Sequence, residues 1–195
     1  MGRPQTVSDA EIISATSVAI AHHGVGRLTL ADVAAVAGIS PAALVQRFGS
    51  KHQLLVAVAR EARVGVDAAF AGAVASPGAR TKALIDLFGR FVASIDSPEV
   101  LANHVSFLQL DLVDDELREL AQLQAQGVLQ GIRRLLDAAV DAGELVATDT
   151  RRLSAAVHTT YNGALITWAL TGKGKLPTWV KREVAFALEP YLAVN

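Results

Sequence analysis

The sequence predicts an all-α protein, and three observations carry that prediction. Apolar residues recur at three- and four-residue spacing in almost every segment, and no alternating run of the strand type stands beside them. Ser8, Thr29, Ser40 and Ser50 each stand directly before such a run, where N-caps belong. The runs are separated by short breaks rich in Gly, Pro and Asp: "SPG" at 76–78, "DSP" at 96–98, "DAGE" at 141–144 and "GKGKLP" at 172–177.

In chain order, "SDAE" (8–11) is a capping box: the Ser8 hydroxyl accepts from the Glu11 amide and Glu11 reaches back. It opens a helix with Ile12, Ala15, Ala19 and Ile20 on one face, stopped at Gly24. Thr29 caps a second helix, "LADVAAVA", up to Gly38. Ser40 with Pro41 starts a third, since proline at the first helical position loses no needed N–H. "SKHQ" (50–53) is read as another capping box, starting a helix that runs to about Val74. Further helices are expected near 79–95, 98–112, 114–142, 151–171 and 178–193, about nine in all.

Composition bounds the function. The chain has 195 residues, 51% of them hydrophobic and 19% charged, enough apolar material for a core and too little charge for disorder. With no cysteine, disulfides and thiolate metal sites are excluded. Mean hydropathy is positive, yet the longest apolar stretch, "GALITWALTG" (163–172), is half the ~20 residues of a membrane span. No membrane partner is expected. No signal-peptide pattern opens "MGRPQTVSDAEII", and a cytoplasmic location is expected. Net charge is −1, and residues 1–53 carry four basic against three acidic side chains. A polyanion partner must therefore be argued from where the charges sit.

Residues 30–48 read as a helix-turn-helix. Ala34 is small where the second helix crosses, and Gly38 suits the positive φ often found just after a helix end. Val33, Ala37, Ile39, Leu44 and Phe48 can close a small core, which leaves Pro41, Ala42, Val45 and Gln46 facing outward. An outward, short helix of this kind fits a major groove.

Over "AEIISATSVAIAHHGVGRLTLADVAAVAGISPAALVQRFGSKHQLLVAV" (10–58) the chain resembles the tetracycline-repressor (TetR) family of bacterial transcriptional regulators. The shared pattern is a Gly-terminated helix, a Thr-capped helix, Ala-Gly-Ile-Ser, a Leu–Phe recognition helix and a Ser-Lys start to the fourth. Beyond residue 60 the likeness is one of architecture. The resemblance implies that Thr29, Arg47 and Lys51 contact phosphates, and that Ala31, Pro41, Ala42, Ala43 and Gln46 meet bases. Val45 stands where the family typically has a tyrosine on the DNA backbone, and Arg47 where a histidine is usual. Alanine, proline and valine can pack on thymine methyls, and only Gln46 can make a bidentate contact, to adenine. Arg3 is placed near the minor groove, and A·T-containing half-sites are expected. A cation in the first turn of a helix opposes its dipole, so an anion near Lys51 would rationalise it.

In the larger body, the helices near 151–171 and 178–193 are apolar on more than one side, through Leu153, Val157, Ala164, Leu165 and Trp168, then Val180, Val184, Leu188 and Tyr191. Such helices bury two faces, so a homodimer through them is expected, as the family resemblance also implies. For a small-molecule effector, His104, Phe107 and Asp111 share one helical stripe and His158, Tyr161 and Asn162 another. Phe88 and Phe91 supply apolar walls, and Gln126 lies mid-way along a long helix. A histidine on an apolar face is also a common core residue. No metal site and no cofactor are expected: His22 and His23 are adjacent and cannot share one helix face. There is no Gly-rich phosphate loop, no G-x-S-x-G and no H-E-x-x-H, so catalysis is not expected.

The expected organisation is a helix-turn-helix DNA-binding domain over 1–48 and a helical ligand-binding and dimerisation domain over 49–195. The function expected is a repressor that binds a palindromic operator as a homodimer and is released by a small, largely apolar effector. The alternative is a helical ligand-binding or protein-interaction protein whose helix-turn-helix no longer reads DNA.

Overall fold

The computed structural model describes residues 7–171 and 173–193, and among these the chain is all-α. Its helices are α1 (Asp9–Arg27), α2 (Leu30–Ala37), α3 (Pro41–Phe48), α4 (Lys51–Ala75), α5 (Arg80–Phe91), α6 (Pro98–Val113), α7 (Asp115–Asp141), α8 (Thr150–Thr171) and α9 (Leu176–Leu188).

Local chemistry sets most boundaries. The Ser8–Glu11 box forms in both directions, and Thr29 forms a second one with Asp32 that the sequence reading gave only as a cap. The box expected at 50–53 is half-formed. The Gln53 amide donates to the Ser50 hydroxyl at 3.1 Å, but the Ser50 amide is taken by the Phe48 carbonyl at 3.0 Å. The first helix breaks at Gly24 (φ 67°, ψ 155°) as expected, then adds one further turn to Arg27. The fifth helix stops at Phe91 rather than 95, because a turn there buries both Val92 and Ile95. The ninth stops at Leu188, where Pro190 cannot continue an α-helix, and a 3-10 turn over Glu189–Tyr191 follows. The chain end then pairs with the α7–α8 connection in an isolated antiparallel bridge, Leu145 with Leu192.

The chain packs as two compact units, residues 1–62 with 102–121, and residues 63–101 with 122–195. The first is centred on Ile12, Ile20, Leu28, Val33, Leu44 and Leu54, with Phe48, Phe107 and Leu110 packed around them. The second buries Phe70, Leu84, Phe88, Ile132, Leu135, Leu136 and Val180. This partition is one of packing; the division of labour expected at residues 48 and 49 is one of function.

Candidate nucleic-acid interface

Helix α3 owes its placement to a few residues. Gly38 takes the left-handed conformation (φ 69°), and the Ile39 amide returns to the Ala34 carbonyl at 3.1 Å, which turns the chain sharply after α2. Ser40 caps α3 through the Ala43 amide at 3.2 Å, with Pro41 in its first turn. Leu44 is 1% exposed and anchors the helix to the core of the first unit. Pro41, Ala42, Val45 and Gln46 are exposed, and Ala43 is half-buried. On α2, Ala31 is exposed as well. Arg3 lies outside the described residues.

The three residues singled out for phosphates are engaged within the chain. The Thr29 hydroxyl accepts from the Asp32 amide and donates to the Asp32 carboxylate at 2.6 Å. Thr29's hydroxyl and amide together hold the Asp32 carboxyl below its usual range. The Lys51 ammonium donates to the Val25 carbonyl at 2.8 Å. That carbonyl belongs to the last turn of α1, whose dipole is negative there, so it supplies the partner the sequence reading sought in an anion. Arg47 reaches back to the start of α1, with Nη2 2.5 Å from Asp9 Oδ1 and Nη1 donating to the Val7 carbonyl. Sequence spacing gives no sign of either long-range partner.

The effector candidates fall in both units. In the first, His104, Phe107 and Asp111 lie on α6 and are each half-buried. Phe107 packs on that unit's core. Burial pushes the His104 pKa down and the Asp111 pKa up. In the second unit, Phe88 stacks on Tyr161 with centroids 4.5 Å apart, and meets Phe91 edge-on at 6.0 Å. Phe70, not singled out from sequence, completes the cluster at 6.4 Å from Phe88. Phe88 has no exposed surface, so it serves as core. Burial pushes the Tyr161 hydroxyl up to about 12, and His158, one turn away, down. His158 Nε2 lies 3.3 Å from Asn162 Nδ2. Asn162 and Gln126 are exposed.

A short helix presented outward from a two-helix corner, in an all-α chain, is the arrangement of a helix-turn-helix. The sequence model of the bacterial regulatory proteins of the tetR family matches residues 12–58. The HTH-type transcriptional regulator BetI of Rhizobium meliloti is 33% identical over 143 residues, 70% of this chain and 68% of the relative. The crystal structure of a TetR transcription regulator from Haloarcula marismortui is similar with TM-score 0.79 and 18% identity, over 94% of this chain and 97% of the other. The transcriptional regulator FadR from Bacillus subtilis, solved in complex with stearoyl-CoA, is similar with TM-score 0.72 and 18% identity, over 92% and 97%. The chain belongs to the TetR family of bacterial regulatory proteins. It is a DNA-binding transcriptional regulator, and its relatives are regulators rather than enzymes. No described helix is long and apolar enough to cross a membrane.

Proposed function

We propose that this chain is a repressor that binds a palindromic operator as a homodimer and is released by a small, largely apolar effector. The observation that carries the reading is α3 itself: Leu44 is buried while Pro41, Ala42, Val45 and Gln46 present an uninterrupted outward face. Residues 1–48 read the DNA, with Gln46 making the one bidentate contact, to adenine, and Ala31, Pro41, Ala42, Ala43 and Val45 packing on thymine methyls and sugars. Thr29, Arg47 and Lys51 stand beside the DNA backbone.

Residues 49–195 supply the dimer face and the effector site. Ile166, Leu170 and Phe186 are exposed at 51%, 83% and 70%, an apolar surface on α8 and α9 that a second copy would cover. Two-fold pairing places two α3 helices on successive major grooves. The effector site draws on the neutral His158 and on Tyr161, which stacks on Phe88 in the second unit. Of the stearoyl-CoA in the Bacillus subtilis regulator, the acyl chain alone is in keeping with an apolar effector. An effector that prefers the conformer with mis-spaced α3 helices weakens DNA binding by the same free energy with which DNA weakens effector binding.

Selection of bound sites from random duplex DNA tests this. A palindromic motif that loses an adenine preference in Gln46→Ala is the expected result. No enrichment at low salt would instead favour the second reading, an effector-binding protein that no longer reads DNA. The internal engagement of Arg47 is the observation on that side.

A further inference from the structure

Arg47 is the only basic residue of α3, and its charge is met inside the chain. Asp9 stands in the first turn of α1, where the helix dipole favours a carboxylate whatever Arg47 does. The carboxylate is 65% exposed, while the Arg47 side chain is drawn down to 31% between it and the Val7 carbonyl. A guanidinium binds a carboxylate or a phosphate through the same N–H donors, and with Nη2 on Asp9 and Nη1 on the Val7 carbonyl a DNA phosphate must compete with Asp9 for them. Lys51 differs: its partner is a neutral carbonyl, and its full charge remains available to an approaching polyanion.

We propose that Asp9 is an internal counter-anion for Arg47, an autoinhibitory contact that holds down the phosphate affinity of the recognition helix. This rests on the reading of α3 as the DNA-reading element. With Asp9 in place, Arg47 adds no net charge to the interface. Sequence-independent attraction is then weak, and the contacts of Pro41 to Gln46 decide where the protein stays. Removing the carboxylate releases a guanidinium at the edge of the reading helix and converts it into one further phosphate contact.

The test uses the full chain and a short random-sequence duplex, with binding measured across a salt series for wild type, Asp9→Asn, Arg47→Ala and the double variant. Asp9→Asn is expected to tighten binding roughly 5- to 10-fold near 0.1 M salt and to steepen the salt dependence by about 0.9. Arg47→Ala alone leaves the slope near that of wild type. In the Arg47→Ala background the gain from Asp9→Asn disappears, and Asp9→Glu, which keeps the carboxylate, binds as wild type. A gain of equal size with and without Arg47 is a through-space charge effect and overturns the proposal, as does no gain at all. If wild type and every variant fail to bind, the DNA reading itself falls and this proposal with it. Binding with an unaltered slope removes only this proposal.

Discussion

Gly131 has no room for a methyl group. A Cβ there would lie 2.4 Å from the ring of Phe70, which is fully buried and packed edge-on against Phe88 and Phe91. Because a clamped ring cannot yield as a flexible side chain does, Gly131→Ala is expected to cost about 1–3 kcal/mol, read as a lower urea midpoint. Gly89 is a contrast of another kind: its neighbour is the flexible stem of Lys181, which makes room by loosening its tie to Asp86 rather than by deforming a ring. Under the recognition helix, Leu44→Ala empties a fully enclosed site and is expected to destabilise by about 2–5 kcal/mol. Leu44 was legible in the sequence because it pairs with Phe48 at i, i+4, a local spacing. Phe70 as a member of the aromatic cluster was not, since its partners come from α5.

At the scale of elements, the entry to the helix-turn-helix is held by α6. Where α1 breaks at Gly24, the freed backbone groups find side chains of one later helix. Asn103 Nδ2 donates to the Ala21 carbonyl at 2.8 Å and to that of His22 at 3.2 Å, and the Val25 amide donates to Ser106 Oγ at 3.0 Å. A methyl at Gly24 would meet Asn103 Oδ1 at 3.0 Å and be strained by its positive φ as well. Asn103→Ala is expected to cost about 1 kcal/mol and to speed hydrogen exchange at the last turn of α1. Unchanged exchange there would show that the turn holds itself. The start of α4 is tied to the same region of chain, with His52 Nε2 3.0 Å from Asp114 Oδ2 and Arg60 Nη2 3.2 Å from Glu116. In the second unit, Asp86 joins α5 to α9 through Lys181 at 2.7 Å. Hydrogen bonds from Lys181 and Lys82 hold the Asp86 carboxyl down at about 2, against a usual 3.8. Its folded pKa is the lower one, so the tie stabilises above about 3.8 and is lost as pH falls toward 2. Lys181→Met is expected to flatten that acid limb of an unfolding-against-pH curve.

For the whole molecule, two half-buried histidines set a second acid limb. Burial lowers the pKa of His104 and of His158, so both are neutral in the folded chain at pH 7. The unfolded chain takes up their protons more readily, and stability declines as pH drops below about 6.5, the free-histidine value. His158→Phe should make that decline shallower in urea titrations at successive pH values; an identical decline would place its cause elsewhere. Assembly is tested separately. Phe186→Glu puts a charge into the exposed apolar surface of α9, and is expected to shift the protein to monomer in sedimentation while leaving helix content intact. Loss of the two-fold partner should then weaken operator binding at least 100-fold, as two tethered half-sites become one. A monomeric wild type would remove the dimer proposal.

The sequence by itself determined the helices, the corner at Gly38 and the outward face of α3. Each depends on residues within a turn or two: caps at Ser8, Thr29 and Ser40, a left-handed glycine, and 3.6-residue apolar spacing. Pro190 could have ended α9 on the same local grounds. What only the tertiary structure decided is how the polar and charged residues are used. Arg47 meets Asp9 across 38 positions of chain, Lys51 meets the Val25 carbonyl across 26, and Asn103 meets Ala21 across 82. A flexible charged side chain leaves no periodic trace in a sequence, because its partner is fixed by where whole helices pack rather than by spacing along one of them.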